Sequence, residues 1–493
     1  MKRNLLAGLV MAAFAAAAFS ANAKDTAIVG ATIIDGNGGA PIRDGVVVIT
    51  DTRISAVGSR GAVSIPSGAE IIKADGLYLT PGFIDTNVHL SLYGGVRDRY
   101  ETMAKYFSRE NEIVLEAAQI YLKYGVTTVR DSYGVLTPLT EVRDQIAAGK
   151  ATGSRILAAG NIVGWGGPYS TSFGLYPQRD VTRFQAEVDE AISLGAGETL
   201  ADMTPEELRV AINKYLDRRP DFLKFGGTTH FGEPTYIGFS PEAQKVMVDE
   251  THKRGLSAET HSTTLEGIKL SVLAGVDLIQ HPEANSPRPM PQDLIDMIVQ
   301  HKVICSMLVS SITGEAWERH AKKAADEQKK IDEAAKKGPL PGTLYDVRKR
   351  ASDTQAGFEI RYQNAKNLIK SGCISTVGTD NYWAAAPEFQ IDPKPDSQSH
   401  GIGTLMAIEG LVELGMTPAQ AITAGTKNGA LASRLQNDIG TIEKGKIADL
   451  VLLDADPLAD IHNIRKTHAV MQAGHMVDRS RLPEVRVLSP VPK

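Results

Sequence analysis

The central part of the chain, from about residue 80 to residue 380, alternates short apolar runs with longer stretches of helical spacing. Apolar residues recur every three or four positions in SRENEIVLEAAQIYLKYG, SPEAQKVMVDETHKRG and TLEGIKLSVLAG, which is typical of amphipathic helices. Short apolar runs bounded by turn residues predict strands that are buried on both faces. The predicted strands are residues 80–85, 127–130, 155–159, 222–225, 256–260, 278–280, 303–307 and 374–378.

Strands that alternate with helices predict a parallel sheet with the helices packed outside it. Eight such strands fit an α/β fold of the (β/α)8 TIM-barrel class, and the structural alternative is a doubly wound open sheet. We therefore expect a barrel over residues 81–429.

Both ends of the chain have a different pattern, in which short β segments are separated by Gly and Asp turns. The N-terminal segments are TAIVGATIIDG, GVVVITDTRISAVG and AEIIKADGLYLTP, and the C-terminal segments are GTIEKGKIADLVLLDA and HAVMQAGHMVD. This pattern predicts a small β-sandwich domain built from both chain ends, with residues 24–80 as its first part and residues 430–493 as its second.

The first 23 residues have the pattern of a secretory signal peptide. Lys2 and Arg3 form a basic start, residues 5–19 are apolar and Ala-rich, and Ala21-Asn22-Ala23 is a small-x-small cleavage site. The apolar run is too short for a membrane anchor, which is the alternative. We expect an exported protein whose mature chain begins at Lys24, in the bacterial periplasm, with no stable membrane span after cleavage.

Composition narrows the class of protein further. Apolar residues make up 42% and charged residues 23% of the 493 residues, which favours a globular rather than a disordered chain. The net charge of −5 gives no basic excess, so nucleic acid is not an expected partner. Only Cys305 and Cys373 are present; they could pair, but two buried free thiols are the favoured expectation.

The stretch from about residue 311 to residue 370 is rich in charge and has helical spacing, as in EAWERHAKKAADEQKKIDEAAKK. It could be a lid over the barrel mouth or a solvated helical insertion. Charge runs of this kind are usually exposed, so the sequence favours the solvated insertion.

Polar side chains stand at the ends of five predicted strands, where a TIM barrel carries its active site. Imidazole and carboxylate ligands suit Zn²⁺, with Mn²⁺ or Fe²⁺ as alternatives, so we predict one or two such ions per chain. A buried lysine at a strand end must be neutralised or paired. Lys224 could therefore carry a CO₂-derived carbamate or form an ordinary ion pair. The predicted metal-site residues are Asn87, His89, Lys224, His261, His281 and Asp380.

These motifs resemble those of the amidohydrolase superfamily. PGFIDTNVHL is similar to its first-strand signature, normally PGFID-x-H-x-H, and GVTTVRDSYG, LKF, AETH, IQHPE and VGTDN are similar to its later strand motifs. The segments ITAGTKNGALASRL and GTIEKGKIADLVLLDADPL resemble its closing pattern. The resemblance implies a metal-bearing barrel with a β-sandwich, hydrolysis of amides, ureas or carbamates, and assembly into a homo-oligomer.

Within that superfamily the chain resembles the branch of the imidazolonepropionases and the Xaa-Pro or Xaa-Arg dipeptidases, which implies a carbamylated Lys224. Asn87 departs from the pattern, because a neutral amide oxygen is a weaker ligand than imidazole. An Asn-x-His motif is similar to that of phenylurea and molinate hydrolases. Three outcomes are open: Asn87 ligates through its oxygen in a binuclear site, the site holds one metal, or the chain is a weakened relative with poor activity. A non-catalytic protein on a degenerate barrel is the alternative outside the enzymes.

The predicted activity is hydrolysis of a C–N bond in a small amide, N-acyl amino acid or dipeptide, with aryl ureas, carbamates or thiocarbamates as the alternative substrates. Asp380 would act as general base and acid, and His281 or His261 would hold a metal or the developing oxyanion. Arg97 could bind a substrate carboxylate, and aromatic side chains could stack on an aryl group. The candidate substrate contacts are Tyr93, Arg97, Trp165, His230, Tyr236, Tyr382 and Trp383.

Overall fold

The computed structural model describes residues 25–91, 106–167, 170, 172, 182–230, 235–284, 288–336, 355–381, 397 and 399–483. The expected signal peptide, residues 1–23, lies outside these ranges. Among the described residues the strands, numbered in chain order, are β1 (Asp25–Ile33), β2 (Ile42–Thr50), β3 (Arg53–Ser59), β4 (Glu70–Lys73), β5 (Tyr78–Pro81), β6 (Phe83–Val88), β7 (Val126–Asp131), β8 (Arg155–Ala158), β9 (Ile162–Val163), β10 (Phe222–Gly226), β11 (Ser257–His261), β12 (Leu278–Gln280), β13 (Ile304–Met307), β14 (Ile374–Val377), β15 (Leu450–Leu453), β16 (Thr467–Gln472) and β17 (His475–Met476).

Strands from both chain ends form one mixed sheet. Its order is β17-β16-β15-β5-β1-β2-β3, and β4 pairs with β1. The N-terminal and C-terminal parts join where β5 and β15 pair antiparallel, with Tyr78 opposite Leu453 and Pro81 opposite Leu450. The two ends of the chain therefore meet in a single hydrogen-bonded sheet.

The central strands form two parallel sheets, β6-β7-β8 and β9-β10-β11-β12-β13-β14. The amide of Asp221, just before β10, donates to the carbonyl oxygen of Ala158 in β8 (2.8 Å). Two further bonds link the ends of β6 and β14, since the Asp380 amide donates to Asn87 (2.8 Å) and the His89 amide to Asn381 (3.0 Å). The predicted α/β class with parallel strands is confirmed, whereas the short strand β9 was not predicted.

Helices alternate with the parallel strands. Helix Pro205–Leu216 begins with a capping box between Thr204 and Glu207. Pro205 is tolerated at the first position because the N–H that it lacks would have no partner within the helix. None of the described helices is both long and apolar enough to cross a membrane. The helices are Glu110–Lys123, Leu136–Ala147, Arg183–Ser193, Pro205–Leu216, Pro241–Lys253, Leu265–Ala274, Gln292–Gln300, Gly314–Ala335, Gln355–Lys370, Ile402–Glu413, Pro418–Thr423 and Gly429–Ala432, with a π-helical turn at Ala424–Asn428.

The main hydrophobic core lies between the parallel strands and their helices, and it extends into the terminal sheet. Val451 and Leu453 of β15 belong to this core, together with Phe83 and Val88 of β6. Leu450 and Leu452, which alternate with them, face a separate apolar cluster within the terminal sheet. Because successive side chains of a strand point to opposite faces, β15 contributes residues to two hydrophobic cores.

The charge-rich region contains two helices with different environments. Helix Gly314–Ala335 is largely exposed where its side chains are described. Helix Gln355–Lys370 instead buries Phe358, Ala365 and Leu368 in the main core. The expectation of a solvated insertion is therefore wrong for this second helix, because its apolar side chains are part of the main core.

The expectation of two free thiols is wrong, since Cys305 and Cys373 form a disulfide, with 6.5 Å between their Cα atoms. Cys305 lies in β13 and Cys373 directly precedes β14. These strands are parallel neighbours in which Cys305 lies opposite Ser375. The pairing register brings together two cysteines that are 68 residues apart in sequence, which the sequence alone did not reveal.

Candidate active site

Five of the six predicted metal-site residues lie at or after the carboxyl ends of parallel strands, and Lys224 lies within β10. Asn87 lies near the end of β6, His261 ends β11, and His281 directly follows β12. His281 and Asp380 have positive φ angles of 38° and 54°. Such a backbone is uncommon for residues other than glycine and often occurs at functional sites. Here it terminates each strand with a polar side chain at the same edge of the sheets.

Asp380 and His89 form the first polar pair. The ring atom Nδ1 of His89 lies 3.0 Å from the carbonyl oxygen of Tyr133, which can only accept a hydrogen bond, so Nδ1 carries a proton. Nε2 of the same ring lies 2.9 Å from Asp380 Oδ1. In a neutral imidazole Nε2 is then also an acceptor. A protonated ring donates to Oδ1 at this distance, whereas a neutral ring and the carboxylate together offer two acceptor atoms to a cation.

The charge on Asp380 is well defined. Burial raises its pKa, but the hydrogen bond and charge of His89, with His281 and Lys224 nearby, bring that pKa well below the usual range. Asp380 is therefore a carboxylate at neutral pH. Its Oδ1 also accepts from Asn87 Nδ2 (3.2 Å).

His261 and His281 form the second pair, with 3.1 Å between His261 Nδ1 and His281 Nε2. Burial lowers the pKa of His281 to about 4, and it lowers the pKa of His261 well below its usual value. Both rings are therefore neutral at pH 7. His261 Nε2 and His281 Nδ1 are buried and have no hydrogen-bond partner among the described residues. Neutral imidazole is the form that binds metal ions.

Ser132, which the sequence analysis missed, connects Asn87 to Lys224. Its hydroxyl donates to Asn87 Oδ1 and accepts from Lys224 Nζ (3.1 Å). Because Asp380 can only accept, the amide nitrogen of Asn87 must face it, and the amide oxygen must face Ser132. Ser132 directly follows β7, so the search for polar residues at strand ends could have found it in GVTTVRDSYG.

Lys224 is buried in β10, and burial lowers its pKa. Among the described residues no carboxylate lies within ion-pair distance of Lys224. Glu259, opposite it in the neighbouring strand, pairs instead with Arg130 (2.7 Å) and accepts from Gln280 (2.8 Å). Within this part of the chain, Lys224 is not held by an ordinary ion pair.

Two of the candidate substrate residues contact the histidine pair. The Trp165 and His230 rings lie 4.7 and 5.2 Å from the His261 ring, measured between centroids. A Cβ atom on Gly226 would lie 2.0 Å from Trp165 Nε1, so glycine at the end of β10 is what allows the indole to reach His261. Tyr236 is 64% exposed, on the same loop as His230. Tyr93, Arg97, Tyr382 and Trp383 lie outside the described residues.

The donor atoms fit a metal ion by their chemistry. The described residues contain no preassembled group of three or more His, Cys, Asp or Glu side chains around one point. They instead contain two pairs, His89 with Asp380 and His261 with His281, whose imidazole and carboxylate groups and two buried ring nitrogens suit a cation. The proton on His89 Nδ1 is held by a carbonyl oxygen, as is usual for a metal-binding histidine.

The fold and these motifs correspond to a known family. The sequence model of the amidohydrolase family matches residues 78–477, which is most of the chain, and the protein belongs to that family. It is a hydrolase that acts on carbon–nitrogen bonds. The resemblance inferred from the strand motifs is therefore confirmed, including the branch, since imidazolonepropionases and a Xaa-Pro dipeptidase are also similar to it.

Three relatives illustrate the similarity. A molinate hydrolase structure is 31% identical, covers 96% of this chain and 98% of its own, and superposes with a TM-score of 0.82. The structure of phenylurea hydrolase B is 30% identical, with coverage of 95% and 100% and a TM-score of 0.82. Ochratoxinase of Aspergillus niger is 25% identical over 466 residues, which is 91% of this chain and 85% of that protein.

Proposed function

We propose that the protein is an exported, metal-dependent amidohydrolase that cleaves a C–N bond in a small amide, N-acyl amino acid or dipeptide. The observation that carries this proposal is that the His89–Asp380 pair, with 2.9 Å between His89 Nε2 and Asp380 Oδ1, and the neutral His261–His281 pair lie at the same edge of the sheets. Zn²⁺ is the ion that best suits these ligands, with Mn²⁺ and Fe²⁺ as alternatives. The proposed ligands are Asn87, His89, Lys224, His261, His281 and Asp380.

We also propose that strands β6 to β14 close into a (β/α)8 barrel and that the terminal sheet belongs to a β-sandwich domain. The hydrogen bonds between the ends of β6 and β14 support closure. The proposed divisions are residues 1–23, 24–80, 81–429 and 430–493. A homo-oligomer remains a prediction from the family resemblance.

The chemistry of the site would be shared between the ion and the side chains. A bound divalent cation would polarise the scissile carbonyl and acidify water. Asp380, a carboxylate at neutral pH, takes the proton of the attacking water and delivers it to the leaving nitrogen. His281, which is near enough to Asp380 for that charge to affect its pKa, would stabilise the developing oxyanion.

Lys224 is proposed to carry a carbamate formed with CO₂. Only the uncharged amine of lysine reacts with CO₂, and burial lowers the pKa of Lys224. The carbamate would turn a buried cation into an anionic ligand, which removes the cost of an uncompensated ammonium group. Mass spectrometry of the intact chain under native conditions, with a Lys224→Met control, measures this modification.

A second candidate function is the hydrolysis of aryl urea, carbamate or thiocarbamate bonds. Asn87 favours it, because the Asn-x-His motif resembles that of phenylurea and molinate hydrolases. Two of the similar structures, at 31% and 30% identity, are a molinate hydrolase and a phenylurea hydrolase. A third, less favoured possibility is a non-catalytic relative on the same fold.

Export to the periplasm is proposed from the N-terminal pattern and is supported by the Cys305–Cys373 disulfide, since disulfides persist in oxidising compartments. Expression of the full chain in a bacterial host tests it. N-terminal sequencing of the periplasmic fraction should begin at Lys24. Retention of the uncleaved chain in the cytoplasm contradicts export.

The deciding experiment compares turnover of N-acyl amino acids, dipeptides, phenylureas and thiocarbamates by the wild type and by Asp380→Asn. We expect one substrate class to be hydrolysed and kcat to fall by about 10²- to 10⁴-fold in the variant, as is usual for loss of a general base. Asp249→Asn, at an exposed helical position, is the matched control. Unchanged turnover in Asp380→Asn contradicts the assigned mechanism.

A further inference from the structure

We propose that Trp165, for which Gly226 makes room, is a positioning residue that fixes the orientation of the His261 ring for metal binding. This role rests on the proposed function and deepens it, because it identifies what holds one of the candidate ligands in place. Trp165 was expected from the sequence to contact the substrate, and its burial gives it a different place in the site.

The ring of His261 is not anchored by a hydrogen bond of the usual kind. A metal-binding histidine normally donates its second ring N–H to a carbonyl or carboxylate oxygen, which fixes the ring. His89 does so, since its Nδ1 lies 3.0 Å from the carbonyl oxygen of Tyr133. His261 Nδ1 instead faces His281 Nε2 (3.1 Å), and His261 Nε2 is buried with no hydrogen-bond partner among the described residues. The orientation of this ring therefore depends on the side chains packed around it.

The indole of Trp165 packs against the His261 ring. The ring centroids are 4.7 Å apart and the ring planes are inclined by 68°, an edge-to-face arrangement that is favourable for aromatic pairs. The His230 ring lies farther from His261, at 5.2 Å. Trp165 is only 2% exposed, so it has almost no surface to offer a substrate. Its influence on the site is therefore exerted through His261.

The indole is itself held in place by the turn that follows β10. Its Nε1 donates to the carbonyl oxygen of Thr228 (3.0 Å), and the Thr228 amide donates to the carbonyl oxygen of His261 (3.3 Å). Gly226 lies opposite His261 in the pairing of β10 with β11, and a Cβ atom on Gly226 would lie 2.0 Å from the indole Nε1. The same turn thus accepts the indole, leaves room for it and binds the backbone of His261. A ring that is already oriented loses less conformational entropy when it binds a ligand.

The test measures the Zn²⁺ dissociation constant of the purified mature protein by competition with a chelator, together with the Tm of the metal-free protein. We expect Trp165→Ala to weaken Zn²⁺ binding by about 10- to 100-fold, the usual loss when a residue that supports a metal ligand is removed. Trp165→Phe, which keeps an aromatic ring, should have a smaller effect.

Trp317→Ala is the matched control, because it removes an indole that packs against Phe358 and Tyr362 instead of against a candidate ligand. It should lower the Tm and leave Zn²⁺ binding unchanged. The same result for Trp165→Ala, a lower Tm with wild-type Zn²⁺ affinity, would mean that Trp165 serves folding alone and would overturn the proposal.

A double-mutant cycle tests whether Gly226 acts through the indole. Gly226→Ala should weaken Zn²⁺ binding because the added methyl group displaces the indole. Added to Trp165→Ala it should cause little further loss, since the group that it displaces is gone. Additive losses overturn the proposed role of the pair. Gly226→Ala and Trp165→Phe still decide the question if Trp165→Ala does not fold.

Failure of this role is distinguishable from failure of the proposed function. If the wild type binds no Zn²⁺, Mn²⁺ or Fe²⁺, the metal-dependent hydrolase and the role of Trp165 fail together. If the wild type binds a metal ion and Trp165→Ala binds it equally well, only the role of Trp165 fails and the hydrolase assignment stands.

Discussion

Asp85 fixes the position of Asp380, although its own carboxylate is fully buried. Its Oδ1 accepts from the amides of Asn87 and Thr379, each at 3.2 Å. Its Oδ2 accepts from the hydroxyls of Thr379 (2.7 Å) and Thr404 (2.6 Å). These four bonds tie the end of β6 to the residue before Asp380 and to helix Ile402–Glu413. A single carboxylate thereby sets the distance between the first and last strands at the active-site edge.

Replacement of Asp85 by Ala should therefore reduce both stability and turnover. It leaves two buried backbone N–H groups without acceptors, which costs about 1–3 kcal/mol for each group. Asp85→Asn keeps an oxygen for those donors and should be milder. Thermal unfolding and kcat are the measurements, with Thr404→Val as the control that removes one bond. Wild-type values in Asp85→Ala contradict the positioning role.

Asn87 is the proposed ligand on which we expect the number of bound metal ions to depend. Both ends of its amide are already engaged, by Ser132 and by Asp380. We expect elemental analysis of the purified mature chain to give close to one metal per chain, rising toward two in Asn87→His, because imidazole is the stronger ligand. Two metals in the wild type contradict this expectation and assign Asn87 as a ligand or as dispensable.

His281 makes the stability of the metal-free chain depend on pH. Its pKa is about 4 when folded and about 6.5 when unfolded, so the unfolded chain binds more protons between these values. Stability from this group is therefore lost as pH falls from about 6.5 to 4, by about 3 kcal/mol in total. The free energy of urea unfolding, measured against pH, should show this loss relative to His281→Gln. Parallel curves for the two proteins contradict the assigned pKa.

At the scale of the elements, the disulfide joins the last two parallel strands, one of which leads to Asp380. A cross-link that closes a loop of about 68 residues stabilises a protein by about 4 kcal/mol in the chain-entropy account. Cys305→Ala/Cys373→Ala should therefore unfold at a lower temperature than the wild type. A reducing agent should lower the wild-type Tm and leave the double variant unchanged. Equal Tm values for both proteins contradict this role.

The sequence predicted most strands of the central region because each is a short apolar run that ends in a polar residue. The ends of β11 and β12, with His261 and His281, are examples. It did not predict β9, which is only two residues long, or the disulfide, which depends on strand register. Ser132 also stands at a strand end, but the search was limited to metal-ligand residue types, so its link between Asn87 and Lys224 was missed.

The contact between Trp165 and His261 is another feature that the sequence could not predict. It depends on the missing side chain of Gly226, which makes room for the indole ring, and on the path of a loop between two strands. Sequence periodicity describes which face of an element is buried, but it does not describe which loops meet above a sheet. The set of candidate ligands was therefore predictable, whereas their partners were not.

At the scale of the whole molecule, the terminal sheet and the parallel strands are joined by an ion pair and by a strand that contributes to both hydrophobic cores. The Arg155 guanidinium at the start of β8 pairs with Asp449 beside β15 (2.7 Å), and Asp449 also accepts from the Ala473 amide (2.8 Å). Val451 and Leu453 lie in the main core, whereas Leu450 and Leu452 lie in the core of the terminal sheet. Strand β15 is thus a structural part of both regions.

We therefore expect the mature chain to unfold as one cooperative unit in calorimetry, since loss of the terminal sheet would remove part of the main core. A fragment containing only residues 81–429 should be insoluble or unfold at a much lower temperature, because it lacks β5 and β15. Val451→Ala should lower the single Tm, with a loss of about 1–3 kcal/mol for a buried apolar side chain. An exposed position of similar size, Val210→Ala, is the control. Two separate transitions, of which Val451→Ala shifts only one, would mean that the terminal sheet is an independent domain.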